Sequence, residues 1–149
     1  MKFRMLLVAF AAVALLASYS LSVAEDKAPG PDVKCPVSGA KVNPKATVDY
    51  NGGKVYFCCE KCPEAFKKDT AKFANKANHQ LVQTGQLTQV KCPLTGKDTN
   101  PEKTVEVAGV KVGLCCGGCQ GKVAKATGDE QLGLVFSDAA VKKGFKAAK

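Results

Sequence analysis

The sequence predicts a small α+β protein in which one module, a β-hairpin leading through a cysteine cluster into a helix, is written twice in tandem. Three observations carry that prediction. The chain repeats itself at a fixed offset of 57 positions, each copy holds two β-rich runs around a turn signal, and each copy places four of the eight cysteines at the same points. A repeat of this kind defines the unit that has to fold.

The repeat runs without a gap from Lys34 to Cys62 and from Lys91 to Cys119. KCPVSGAKVNPKATVDYNGGKVYFCCEKC in the first copy faces KCPLTGKDTNPEKTVEVAGVKVGLCCGGC in the second, with 14 identities in 29 positions, all four cysteines among them. Cys-Pro-x-Ser/Thr-Gly opens each copy as a tight turn: proline presets φ, glycine accepts a positive φ, and the hydroxyl bonds back to the backbone. Asn43-Pro44 and Asn100-Pro101 mark a second turn. Strands are expected at Ala46–Tyr50 and Lys54–Cys58 around Asn51-Gly52-Gly53, and at Thr104–Val107 and Val110–Leu114 around Ala108-Gly109. A helix follows each cluster. Ala65, Phe66, Phe73 and Ala77 share a face of the first; Val123, Ala124 and Ala126 share one of the second, with Gly128 as its stop. Tyr50, Tyr56, Phe57, Phe66 and Phe73 are the expected core of the first copy.

The flanking segments set the boundaries. Lys2 and Arg4, an apolar run from Met5 to Leu16, and small residues at Ser22-Val23-Ala24 predict a cleaved signal peptide over 1–24; the run is too short to span a bilayer. An uncleaved N-terminal anchor is the alternative. Residues 25–33 are expected to be a disordered leader. The first module covers 34–77, a linker 78–90 with a short strand at Gln80–Val82, and the divergent second module 91–149. Its C-terminal extension carries an expected strand at Leu132–Phe136 and a helix at Asp138–Lys146, with Val141 and Phe145 on one face. The mature protein is expected in the periplasm or secreted, with no stable membrane insertion.

Composition excludes several function classes. Loss of Lys2 and Arg4 with the signal lowers the formal net charge from +9 to +7 and leaves only lysines as basic residues. Arginine is the bidentate reader of phosphate and guanine, so scattered lysines read as a solubilising surface and no nucleic-acid partner is expected. No Ser-His-Asp set, paired-carboxylate signature or phosphate loop is present, and the chain is expected not to be an enzyme. His79, the single histidine, reads as a solvated linker residue, and Glu64 and Asp69 as a solvated helix face.

The cysteines carry the chemistry. Cys35, Cys58 and Cys62 follow a Cys-x22-Cys-x3-Cys spacing that Cys92, Cys115 and Cys119 reproduce, while Cys59 and Cys116 sit beside Cys58 and Cys115. A Cys-x3-Cys pair across a strand-to-helix junction sets two sulfurs on one side of the first helical turn, and a turn cysteine brought alongside by the hairpin supplies a third. Helix N-termini and lysines favour the thiolate, the metal-binding form, and soft sulfur donors select zinc or copper(I) over magnesium or calcium. Cys59 and Cys116 are the candidates for a fourth ligand; three ligands with a spare cysteine is the preferred reading. The alternative is a disulfide-stapled exported interaction module with no metal, since cores this small need some staple. A further reading leaves the second copy as a packing partner that binds no metal.

With Phe57-Cys58 at the hairpin exit and Phe66 in the following helix, residues 35–69 resemble the TRASH/YHS group of metal-binding modules. Residues 92–127 resemble it less closely, Gly113 and Val123 standing at aromatic positions. The resemblance implies a treble-clef-like fold in each copy and a role in heavy-metal trafficking, buffering or resistance. It also implies a metal ion as partner, alongside another metal-handling or envelope protein. The ligands it implicates are Cys35, Cys58, Cys62, Cys92, Cys115 and Cys119. One departure stands out: Ser38 and Thr95 occupy the place of the second cysteine of a Cys-x2-Cys-Gly knuckle.

Overall fold

A computed structural model describes residues 29–30 and 32–148. The expected signal peptide and most of the leader lie outside the described residues. The leader's last residue, Val33, is buried against the fold.

Each copy begins with its hairpin. β1 (Asn43–Tyr50) pairs antiparallel with β2 (Gly53–Phe57), and β4 (Asn100–Val107) pairs with β5 (Val110–Leu114). The register shifts between Asn43 and Thr47 and again between Asn100 and Thr104. The turns carry φ of 46° and 81° at Asn51 and Gly52, and of 48° and 81° at Ala108 and Gly109. Two consecutive positive φ values suit the right-handed twist of the strands, and Asn-Gly fits them where Ala is strained.

Helices follow each hairpin. In the first copy α1 (Lys61–Lys68) and α2 (Thr70–Gln83) divide at Asp69, whose side chain accepts from the Lys72 N–H and caps α2. The face expected on one helix is thus shared by two. In the second copy come α3 (Gly117–Lys125), α4 (Gly128–Phe136) and α5 (Asp138–Gly144). Gly128 opens α4 rather than stopping the preceding helix.

Beyond the cysteines the structure corrects the expected boundaries. Residues 78–83, Gln80–Val82 among them, are helical, as the closing turns of α2, and the linker ends in β3 (Leu87–Gln89). Leu132–Phe136 is helix, not strand: a five-residue apolar run fits either period, and burial of Val135 and Phe136 decides for α4. Phe145 lies past α5 in β6 (Phe145–Ala147), which pairs antiparallel with β3 through Leu87↔Ala147, Thr88↔Lys146 and Gln89↔Phe145. The offset of 57 carries Thr88 onto Phe145, so the strand closing each repeat pairs with its own counterpart.

One core serves both copies. Leu81 and Ala77 of α2, Leu87 of β3, Val135 and Phe136 of α4 and Phe145 of β6 are buried together. Tyr50, Phe57 and Phe66 pack ring to ring in the first copy, at 5.3 and 5.4 Å between centroids. In the second, Val107, Leu114 and Val123 stand at the matching positions and are fully buried. Gly113, in place of Tyr56, leaves room that Thr99 fills, its Cβ 3.3 Å from where a glycine Cβ would lie.

Candidate metal centres

The first cysteine of each triad is fixed by its turn. Gly39 N–H donates to Cys35 O and Cys35 N–H to Ala40 O, both at 2.8 Å; Gly96 to Cys92 and Cys92 to Lys97 repeat this at 2.8 Å. Gly39 and Gly96 adopt φ of 72° and 73°, a left-handed conformation that favours glycine. The other cysteines stand where β2 hands over to α1 and β5 to α3, with Cys62 and Cys119 in the first helical turns.

These elements bring three sulfurs together twice. The sulfurs of Cys35, Cys58 and Cys62 lie within 4.8 Å of one another, as do those of Cys92, Cys115 and Cys119. Within the triads Cys58–Cys62 is 3.5 Å and Cys115–Cys119 is 3.6 Å. Tetrahedral zinc–sulfur bonds of about 2.3 Å set sulfurs roughly 3.8 Å apart, so the triads are close to metal-holding dimensions. All eight cysteines are free. The sulfur separations of 3.5–3.7 Å exceed the ~2.05 Å of a disulfide.

In both triads the turn cysteine and the last helical cysteine are buried, and the middle one is half-buried. Cys59 and Cys116 are exposed beside them. The Cys59 sulfur is 3.7 Å from that of Cys58 and 3.5 Å from that of Cys62, and Cys116 is 3.7 Å from Cys115.

The thiols of each triad are electrostatically unlike. Burial works to raise Cys35, but the Ser38 hydroxyl and the N–H groups of Ser38, Cys58 and Val37 outweigh it and bring the thiol down to about 7. Cys92 falls to about 7 by the same balance, with Thr95 in the place of Ser38. Burial first, then hydrogen bonding with the neighbouring sulfurs, pushes Cys62 and Cys119 up to about 12. Cys59 is lowered chiefly by its hydrogen bond with Cys62, and Cys116 chiefly by the Cys119 N–H. Each cluster thus sets one thiol lowered towards neutrality beside one raised well above its ordinary value, as expected where thiols crowd together.

Three polar features escaped the sequence reading. Ser38 and Thr95, expected to bond back to their turns and noted as departures from a cysteine pattern, also hydrogen-bond the Cys58 and Cys115 sulfurs at 3.2 and 3.3 Å. Gln80 clamps the strand leading to Cys58, receiving the Tyr56 N–H at 2.6 Å and donating to Tyr56 O at 2.9 Å. Gln89, from β3, does the same to Gly113 at 2.9 and 2.6 Å. A glutamine in a helix or short strand carries no local signal for such a contact.

His79 is not among the residues gathered in either triad. It lies in α2, half-buried, its Nε2 3.0 Å from Ala108 O and its ring 5.1 Å from that of Phe136; burial lowers its pKa despite the carbonyl. It buttresses the second hairpin's turn, so the expectation of a solvated linker residue fails. Asp69 caps a helix rather than merely facing water.

No family model, curated protein or solved structure matches the chain.

Proposed function

We propose that the protein binds a thiophilic metal ion, zinc(II) or copper(I), at each of two three-cysteine sites. Its role is in trafficking, buffering or resistance outside the cytoplasm, as a binding protein rather than an enzyme. The observation that carries the reading is the convergence of three sulfurs in both repeats. Cys35, Cys58 and Cys62 would hold one ion and Cys92, Cys115 and Cys119 the other. A soft ion supplies the positive charge that lets all three sulfurs ionise together.

Several features support it over a disulfide-stapled module. The cysteines are free, and each triad is flanked by a hydroxyl able to donate to a thiolate. The second triad matches the first in dimensions, which argues against a purely structural second copy. Kinship with the TRASH/YHS modules and a treble-clef-like reading of each repeat rest on the cysteine spacing and the hairpin-to-helix order. Export rests on the N-terminal pattern. Among the described residues no helix is long and apolar enough to cross a membrane.

The test is to replace Cys58 and Cys115 separately with serine and count bound zinc and copper(I). Each variant should lose one ion and keep the other. Full stoichiometry in both variants would reject the triads as ligands.

A further inference from the structure

The two sites share their ligands but not their surroundings. A cavity of about 560 Å³ opens beside the second triad, with Cys116, Cys119, Lys122 and Lys143 in its wall. Volumes of roughly 300–1,000 Å³ are typical of small-molecule sites. Positions in its wall differ between copies: Gly118 replaces Lys61, Lys122 replaces Ala65 and Lys143 replaces Gln86, while Gly117, next to the wall residues Cys116 and Gly118, replaces Glu60. The second copy has therefore lost two side chains beside its exposed cysteine, one carboxylate and one ammonium, and gained ammonium groups at Lys122 and Lys143. The glycines are not demanded by the backbone. A Cβ at Gly117 meets nothing within 4 Å, one at Gly118 meets only the Cys116 sulfur at 3.9 Å, and neither has a positive φ.

We propose that this cavity docks a low-mass thiol bearing carboxylates, and that Cys116 is the sulfur through which such a carrier exchanges metal with the second triad. The proposal rests on the metal-binding reading above. The lysines complement the carboxylates, the glycines admit the ligand, and Cys116, 3.7 Å from Cys115, lies on the solvent side of the cluster. In the exchange a bond forms between the carrier's metal ion and the Cys116 sulfur, which gives its proton to solvent. The carrier's own metal–sulfur bond breaks, and its thiolate takes up a proton. The ion would then pass to Cys92, Cys115 and Cys119, whose remaining thiol protons go to solvent, while the metal–Cys116 bond breaks and the Cys116 thiolate takes a proton back. No electrons are transferred. In the first copy Glu60 and Lys61 stand at this approach, so Cys59 is not served in the same way.

Docking is tested apart from metal by titrating S-methylglutathione, which has no free thiol, onto the metal-free protein and following amide shifts. Saturable shifts at Gly118 and Leu134 are expected. Lys122→Glu/Lys143→Glu should weaken binding about tenfold or more, the sum of two lost charge contacts. Gly117→Glu/Gly118→Lys, which the backbone tolerates, should also weaken it. No saturable shift, unchanged affinity in the lysine variant, or equal binding of a cationic thioether overturns the docking site. Exchange is tested by loading from a glutathione–copper(I) complex: Cys116→Ser should slow filling of the second site and leave its final occupancy unchanged. A lower final occupancy would make Cys116 a resident ligand and overturn its exchange role, as would an unchanged rate. Should Cys115→Ser/Cys119→Ser leave metal content intact, the metal reading fails while the docking result stands on its own.

Discussion

The Ser38 hydroxyl lies 3.2 Å from the Cys58 sulfur, and Thr95 stands in the same relation to Cys115 at 3.3 Å. Each hydroxyl approaches the middle sulfur of its triad from the opening turn of the repeat. A hydrogen-bond partner there orients the sulfur, and removal of such supporting bonds typically costs about 10–100-fold in metal affinity. Ser38→Ala should weaken metal binding at the first site by that order and leave the second untouched, as read by competition with a chelator. Ser38→Cys should instead add a fourth sulfur and shift preference towards zinc, which favours four ligands.

Metal affinity should depend on pH through Cys35 and Cys92. Both are depressed to about 7, so above that pH they are already thiolates and an incoming ion need not displace their protons. As pH falls through about 7 each takes up a proton that binding must then expel. Cys62 and Cys119, raised to about 12, surrender a proton on either side of this point. The logarithm of affinity should therefore fall by about one further unit per pH unit below pH 7 than above it. Affinities measured from pH 5.5 to 8.5 check this; a constant slope would count against the assignment.

The first hairpin is tied to the second copy through Asp138. Its Oδ1 accepts from the Tyr50 hydroxyl at 2.7 Å, Asn78 Nδ2 at 2.8 Å and Asn51 Nδ2 at 3.0 Å. Burial alone would raise the carboxyl, but these donors and Lys142 hold it below its usual value. Asp138→Ala orphans donors around the fully buried Asn78, at a cost of about 1–3 kcal/mol. Denaturant unfolding should show that loss with metal stoichiometry unchanged.

Gly144 allows the end of the second copy to lie against the backbone on either side of Cys92. A Cβ there would fall 2.8 Å from Pro93 Cα and 2.9 Å from Lys91 O, both backbone, while Gly144 O accepts the Val90 and Lys91 N–H groups. Gly144→Ala should destabilise the protein by about 1–3 kcal/mol and perturb the second site before the first. Thermal unfolding and amide shifts at Cys92 report the two effects.

Ala108 invites the opposite change. It holds a φ of 48° where the first copy uses Asn51, a residue that tolerates that conformation. Ala108→Asn should stabilise the fold by a few tenths to about 1 kcal/mol, because the His79 contact is to the backbone oxygen and survives the substitution. A lowered melting temperature would show that the turn is not strained.

The hairpins and triads were legible because turn chemistry and cysteine spacing act locally and are written twice. Asn51-Gly52 and Ala108-Gly109 announce their turns, and the shared offset aligns Cys58 with Cys115. Past Cys62 and Cys119 identity fades, and there the reading broke down. Leu132–Phe136 satisfies either period, and only packing against α2 makes it helical. Asp69 divides a face that periodicity joins. The pairing of β3 with β6 spans three residues and is imposed by the packing of one repeat on the other, so neither strand declares itself. Ser38, Gln80 and Asp138 act through partners 20, 24 and 88 positions away in sequence, a distance no local pattern carries.

X-ray absorption at the metal edge, on protein loaded and kept free of oxygen, tests the central claim most directly. The account predicts two ions per chain, each with at least three sulfur neighbours at about 2.3 Å. A first shell of oxygen and nitrogen, or protein that emerges with its cysteines paired in disulfides and takes up no metal, would contradict it.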